Sequence, residues 1–206
     1  MQLIEKIPLE AQQLILEACR KGYAAACKNY RKESNGNTFG TDVYNFIAYY
    51  LGEAAKTGGP LELISRYPKL RLITNGVVLA CHKVGKGKKQ NIQTSFPNNN
   101  NAVQSIVQQK IPGLDLSKYS AKVEAAIITH MGNPVEGFLS AHICVPDGVN
   151  ESSGRINSWG ETYELLPAVA QVAHFPPEEA IPEIEIKAKP KTKNKGEVER
   201  GDATAT

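Results

Sequence analysis

The sequence predicts an α+β domain: N-terminal helices packed on one face of a mostly antiparallel sheet, followed by a disordered charged C-terminal tail. Three observations carry this expectation. Apolar residues recur at helical spacing as far as Gly58-Gly59-Pro60, and from Leu70 the period changes to two. Beyond Pro176 the aromatics vanish, and Pro, Glu and Lys dominate the chain. Helices grouped ahead of strands favour separate layers over alternating βαβ units. The expected organisation is a single domain over residues 1–175 and a tail over 176–206. A folded part of that size buries roughly two-thirds of its unfolded surface and needs no staple.

The first helix is expected from Pro8, which suits a first turn, to about Lys32. Leu9, Leu14, Ile15, Leu16, Ala18 and Ala25 supply its spacing. Ser34-Asn35-Gly36-Asn37 reads as the turn that stops it. A second helix is expected from a cap at Thr41 or Asp42, with Val43, Phe46, Ile47, Tyr50, Leu51 and Ala54 as its apolar stripe. Leu61 to Arg66 reads as one more helical turn. Leu70–Thr74 and Val77–His82 flank Asn75-Gly76, the dipeptide that best supplies two positive φ angles, so this stretch is a hairpin. Asn98 to Asn101 reads as a polar linker that caps a short helix from Ala102 to Lys110. A second hairpin joins Lys122–His130 to Gly137–Val145. Pro146-Asp147-Gly148 reads as a turn, and Arg155 to Leu166 as a last strand or small hairpin around Trp159.

Composition excludes more than it identifies. A net charge of +3 and a pI of about 8.6 are only mildly basic, so nucleic acid remains a possible partner for which bulk charge does not argue. The four cysteines, Cys19, Cys27, Cys81 and Cys144, lack CxxC spacing. They read as reduced, buried thiols and not as a zinc knuckle or a disulfide framework. The start of the chain lacks a signal-peptide pattern, and no run approaches ~18 apolar residues, so no membrane segment and a cytoplasmic location are expected. No cofactor motif is present, and neither a cofactor nor a metal is expected.

Strand parity yields the candidate site. In the second hairpin Glu124, Ala126, Ile128 and His130 share one face, and Val123, Ala125, Ile127 and Thr129 the other. With His130 set opposite Phe138, the first group joins Ser140, His142 and Cys144 on a polar face, and the apolar face takes the helices. A one-residue bulge would reverse that pairing. In the Asn-Gly hairpin Arg71 and His82 share the face opposite Leu72, Leu79 and Cys81. Neighbouring hairpins would then bring His82, His130 and His142 together. Imidazoles titrate near neutrality, so His130 and His142 are candidates to exchange protons in metal-independent phosphodiester cleavage, assisted by His82 and Arg71. The competing reading is a solvated sheet face, which antiparallel sheets commonly leave.

Lys83, Lys86, Lys88 and Lys89, interleaved with Gly85 and Gly87, form the candidate phosphate-binding loop. Lysines supply sequence-independent attraction to phosphates, and glycines let backbone N–H groups approach an anion. The spacing is not that of a Walker loop. Two functions follow as expectations. One is a nucleic-acid-associated protein of bacterial or phage type, with a small ribonuclease as its sharpest form. The other is a non-catalytic module, an inhibitor or assembly subunit, that holds a protein partner through the sheet face, Trp159 or the tail.

Overall fold

The computed structural model describes residues 2–31, 34–66, 69–84, 91–97, 124–149 and 156–167. The expected helix at 102–110, most of the lysine loop and the tail lie outside the described residues. Within them the chain forms an α+β fold with N-terminal helices packed on a mixed sheet.

Helix α1 spans Leu9–Asn29 and follows Pro8, whose missing N–H costs nothing at a helix start. Its buried stripe is rich in small residues (Ala11, Ala18, Cys19, Gly22, Ala25 and Ala26) beside the larger Ile15, Leu16 and Tyr23. That lets α2, Gly36–Lys56, lie close. A Cβ on Gly22 would stand 2.5 Å from Ile47 Cγ1, so the glycine is what permits the helices to touch there. Helix α2 begins several residues before the expected cap. Asn35, read from the sequence as part of a turn, is the N-cap, and its Oδ1 accepts from the N–H groups of Asn37 and Thr38. A capping asparagine and a turn asparagine share the same local chemistry, and only the following chain separates them.

Among the described residues six strands run in spatial order β1-β2-β3-β4-β5-β6: Glu62–Ser65, Arg71–Thr74, Val77–Lys83, Glu124–Asn133, Gly137–Val149 and Ile156–Glu164. Residues 62–65 are thus a strand and not the expected helical turn, because they complete the edge beside β2. Asn75 and Gly76 both have positive φ (42° and 77°), as the Asn-Gly turn requires. Four of the pairings are antiparallel, and β3 and β4 run parallel. Strand β5 runs straight through Pro146-Asp147-Gly148. The expected turn is instead a series of register shifts against β6.

Two cores result. Helices α1 and α2 cover one face of the sheet over Leu72, Val77, Leu79, Ala126, Ile128, Ala141 and Ile143. On the opposite, outer face a smaller core gathers Val84, Ile92, Ile127, Cys144, Ile156 and Trp159. A short 3₁₀ helix, Ile92–Thr94, carries Ile92 into that second core. There the Trp159 indole N–H donates to the Ile92 carbonyl at 2.9 Å, and Phe96 leans on the indole ring. Trp159 is therefore packed internally and buried.

Candidate functional site

The register of β4 against β5 decides which histidines meet. The turn between them is tied by Asn133, whose Oδ1 accepts from the N–H groups of Val135 and Glu136, and Gly137 takes a positive φ of 75°. Asn133 pairs with Gly137 and Gly132 with Phe138. A bulge then places Met131 opposite Ser140 and His130 opposite Ala141. Leu139 is the extra residue, half-exposed at 50%. The assumed pairing of His130 with Phe138 is thereby corrected, and one added residue reverses the faces.

His130 consequently belongs with Ala126, Ile128, Ala141 and Ile143 beneath the helices, and is fully buried. Its Nδ1 lies 3.1 Å from the Tyr23 hydroxyl, and the Tyr23 ring meets the imidazole edge-on. Gly132, two residues along, has no room for a side chain, since a Cβ would stand 2.3 Å from Tyr23 Cε1. Among the described residues nothing hydrogen-bonds His130 Nε2. Burial, reinforced by His82 and Lys83, pushes its pKa down to about 3. Burying one neutral imidazole costs about 1–3 kcal/mol for the unmet bond. Each buried isoleucine or leucine on the same face is worth about 1.5–3 kcal/mol, so the apolar set determines where the strand sits. The expected exchange of protons between His130 and His142 is corrected accordingly, because the two imidazoles project from opposite faces of the sheet.

His82 and His142 do share a face. His82 pairs with Thr129 across β3–β4, Thr129 with His142 across β4–β5, and His142 with Glu164 across β5–β6. A single cross-strand row on the outer face thus reads His82, Thr129, His142, Glu164. Each imidazole is held by a serine: His82 Nε2 lies 3.2 Å from Ser95 Oγ, and His142 Nε2 lies 3.0 Å from Ser140 Oγ. Between them the Thr129 hydroxyl meets Cys144 Sγ at 3.1 Å. Burial and the neighbouring Lys83 hold His82 down to about 4. Burial lowers His142 as well, while the Glu164 carboxylate works against it.

Arg71 lies on the same outer face, opposite Ala80, and is a diagonal neighbour of His82. Among the described residues no carboxylate pairs with it, and its Nε is buried without an acceptor. Lys83 departs from expectation. It sits on the helix face in register with His130, and its Cδ reaches toward Gly40 of α2. Burial lowers its pKa. Lys86, Lys88 and Lys89 lie outside the described residues. Among the described residues no three His, Cys, Asp or Glu side chains are grouped to hold a metal, and no helix is long and apolar enough to cross a membrane.

Sequence reasoning passed over Ser95, Thr129 and Glu164. The alternation Ser140-x-His142 was legible, but Glu164 joins it only through the β5–β6 register. Compared with known proteins, the chain matches no family model, no curated sequence and no solved structure.

Proposed function

We propose that the chain is a nucleic-acid-associated protein that meets phosphates over the outer face of its sheet. The observation that carries this reading is the pair of half-buried imidazoles, His82 and His142, flanking the buried Thr129, with Arg71 one row away and without a carboxylate partner among the described residues. A guanidinium without a carboxylate, beside hydroxyls and imidazoles, is chemically matched to a phosphate oxygen. Lys86, Lys88 and Lys89 follow β3 directly in sequence and would add sequence-independent attraction. Contact is favoured over cleavage. A two-histidine cleavage needs one imidazolium as proton donor, and burial lowers the pKa of both His82 and His142, which disfavours that charged form. A ribonuclease on this face would use His82 and His142, without His130.

The test is binding of a labelled single-stranded RNA and a duplex DNA across a salt series. Binding that weakens steeply with salt is expected. Arg71→Ala should weaken it several-fold and flatten the logarithmic salt slope by about 0.7–0.9 per phosphate lost. No binding at low salt refutes the reading.

A second reading, a protein-interaction module, draws on the β4–β5 hairpin tip. Val135 is 91% exposed there and Leu139 stands out at its bulge.

A further inference from the structure

Among the described residues two serine–imidazole pairs occupy the outer face, and they differ in the charge beside them. The row position beside His142 holds a carboxylate, Glu164, whereas the charge that acts on His82 is the cation of Lys83. Ser140 and His142 alternate along β5 and so project together, with Oγ and Nε2 3.0 Å apart. That is the separation a nucleophile and its base require. Ser140 and His142 are half-buried and Glu164 is exposed, so a solute can reach the group. The Tyr23–His130 pair is sealed in the core and offers no such access.

We propose that Ser140 is a nucleophile activated by His142, and that the protein hydrolyses small carboxylic esters at this point of the sheet. The Oγ–H proton passes to Nε2 as Oγ bonds to the ester carbonyl carbon. The carbon–alkoxy bond breaks, and the departing alkoxide takes that proton from Nε2 to leave as alcohol. Water then attacks the acyl-serine and gives its proton to Nε2. The Oγ–acyl bond breaks, Oγ recovers the proton, and the carboxylic acid departs. Glu164 touches neither substrate nor reacting atoms. It is a positioning residue whose charge stabilises the transient imidazolium. The chemistry needs no nucleic acid, so a chain that binds none is still reactive at Ser140.

The experiment treats the full chain with a fluorophosphonate probe and maps the adduct by peptide mass, with p-nitrophenyl acetate turnover alongside. One adduct on Ser140 is expected, absent from Ser140→Ala. His142→Gln should slow labelling about 100-fold, within the range of a lost general base. Glu164→Gln should move the midpoint of the labelling pH profile downward, a shift that a purely structural glutamate would not produce. Melting curves establish that each variant is folded. If Ser140→Ala fails to fold, Ser140→Cys keeps the nucleophile and should be alkylated by iodoacetamide faster than any thiol of the parent chain. Failure to label Ser140 under conditions that saturate a control serine hydrolase overturns the proposal. So does equal labelling of Ser140→Ala, or alkylation of folded Ser140→Cys no faster than that of the parent.

Discussion

The two faces of the sheet treat the same residue in opposite ways. On the helix face His130 is sealed under Tyr23, with one ring nitrogen bonded and the other without a partner among the described residues. On the outer face His82 and His142 flank Thr129, each half-buried with a serine hydroxyl on Nε2. Thr129 and His130 are consecutive and both fully buried, so a single step along β4 separates the outer face from the helix face. Histidine is therefore no guide to function until its side of the strand is known. The outer face adds Arg71, without a carboxylate partner among the described residues, while the helix face adds Phe39, Phe138 and a close glycine contact.

The largest test of this contrast is Tyr23. Tyr23→Ala removes a fully buried ring that contacts Phe39, Phe138 and His130, and should cost about 3–5 kcal/mol in denaturant unfolding. Tyr23→Phe keeps the ring but strands His130 Nδ1, at about 1–3 kcal/mol. Equal costs for the two substitutions would mean that the hydroxyl, and not the packing, holds the face together.

A second test separates the faces by pH. Both His130 and His82 have folded pKa values depressed from an ordinary 6.5, to about 3 and about 4. The unfolded chain then binds more protons below pH 6.5, so the stability from these neutral imidazoles is complete above that pH and is lost as pH falls. His82→Gln should flatten the stability profile between about pH 6.5 and 4 only. His130→Gln should flatten it further, down to about pH 3. Indistinguishable profiles for the two variants would erase the distinction between a sealed and a half-open imidazole.

The smallest effect is expected on the outer core. Trp159→Phe keeps most of the apolar contact with Phe96 and loses the indole N–H bond to Ile92. A loss of about 1–2 kcal/mol in thermal or urea unfolding is expected, mostly from the unpaired Ile92 carbonyl. A loss as large as that of Tyr23→Ala would show the outer core to be equally decisive for the fold.

Much of the architecture is legible in local sequence. Helix α1, the body of α2, the Asn75-Gly76 hairpin and the β4–β5 hairpin all follow from periodicity and turn chemistry, which act over a few residues. The misread pieces have two causes. Asn35 bonds to Asn37 and Thr38, and its local chemistry suits a cap and a turn equally, whereas the strand at 62–65 and the passage of β5 through Pro146 depend on pairing with another strand. The candidate site was half legible. Arg71 and His82 were assigned to the correct side of their hairpin, since a two-residue turn leaves no freedom in register. His130 was not, because both faces of β4 are apolar. Residues 126–130 are all buried, as suits a strand flanked by a parallel neighbour and covered on both sides.

By itself, then, the sequence determined the α+β class, the order of helices before strands, and which polar side chains are candidates for a site. Only the tertiary structure decided which of those residues meet. The bulge at Leu139, the parallel pairing of β3 with β4 and the register that brings Glu164 beside His142 settle that question. The physical reason is that side chains alternate along a strand with a period of two. One extra residue in a partner strand, invisible to local propensity, exchanges every neighbour across the sheet.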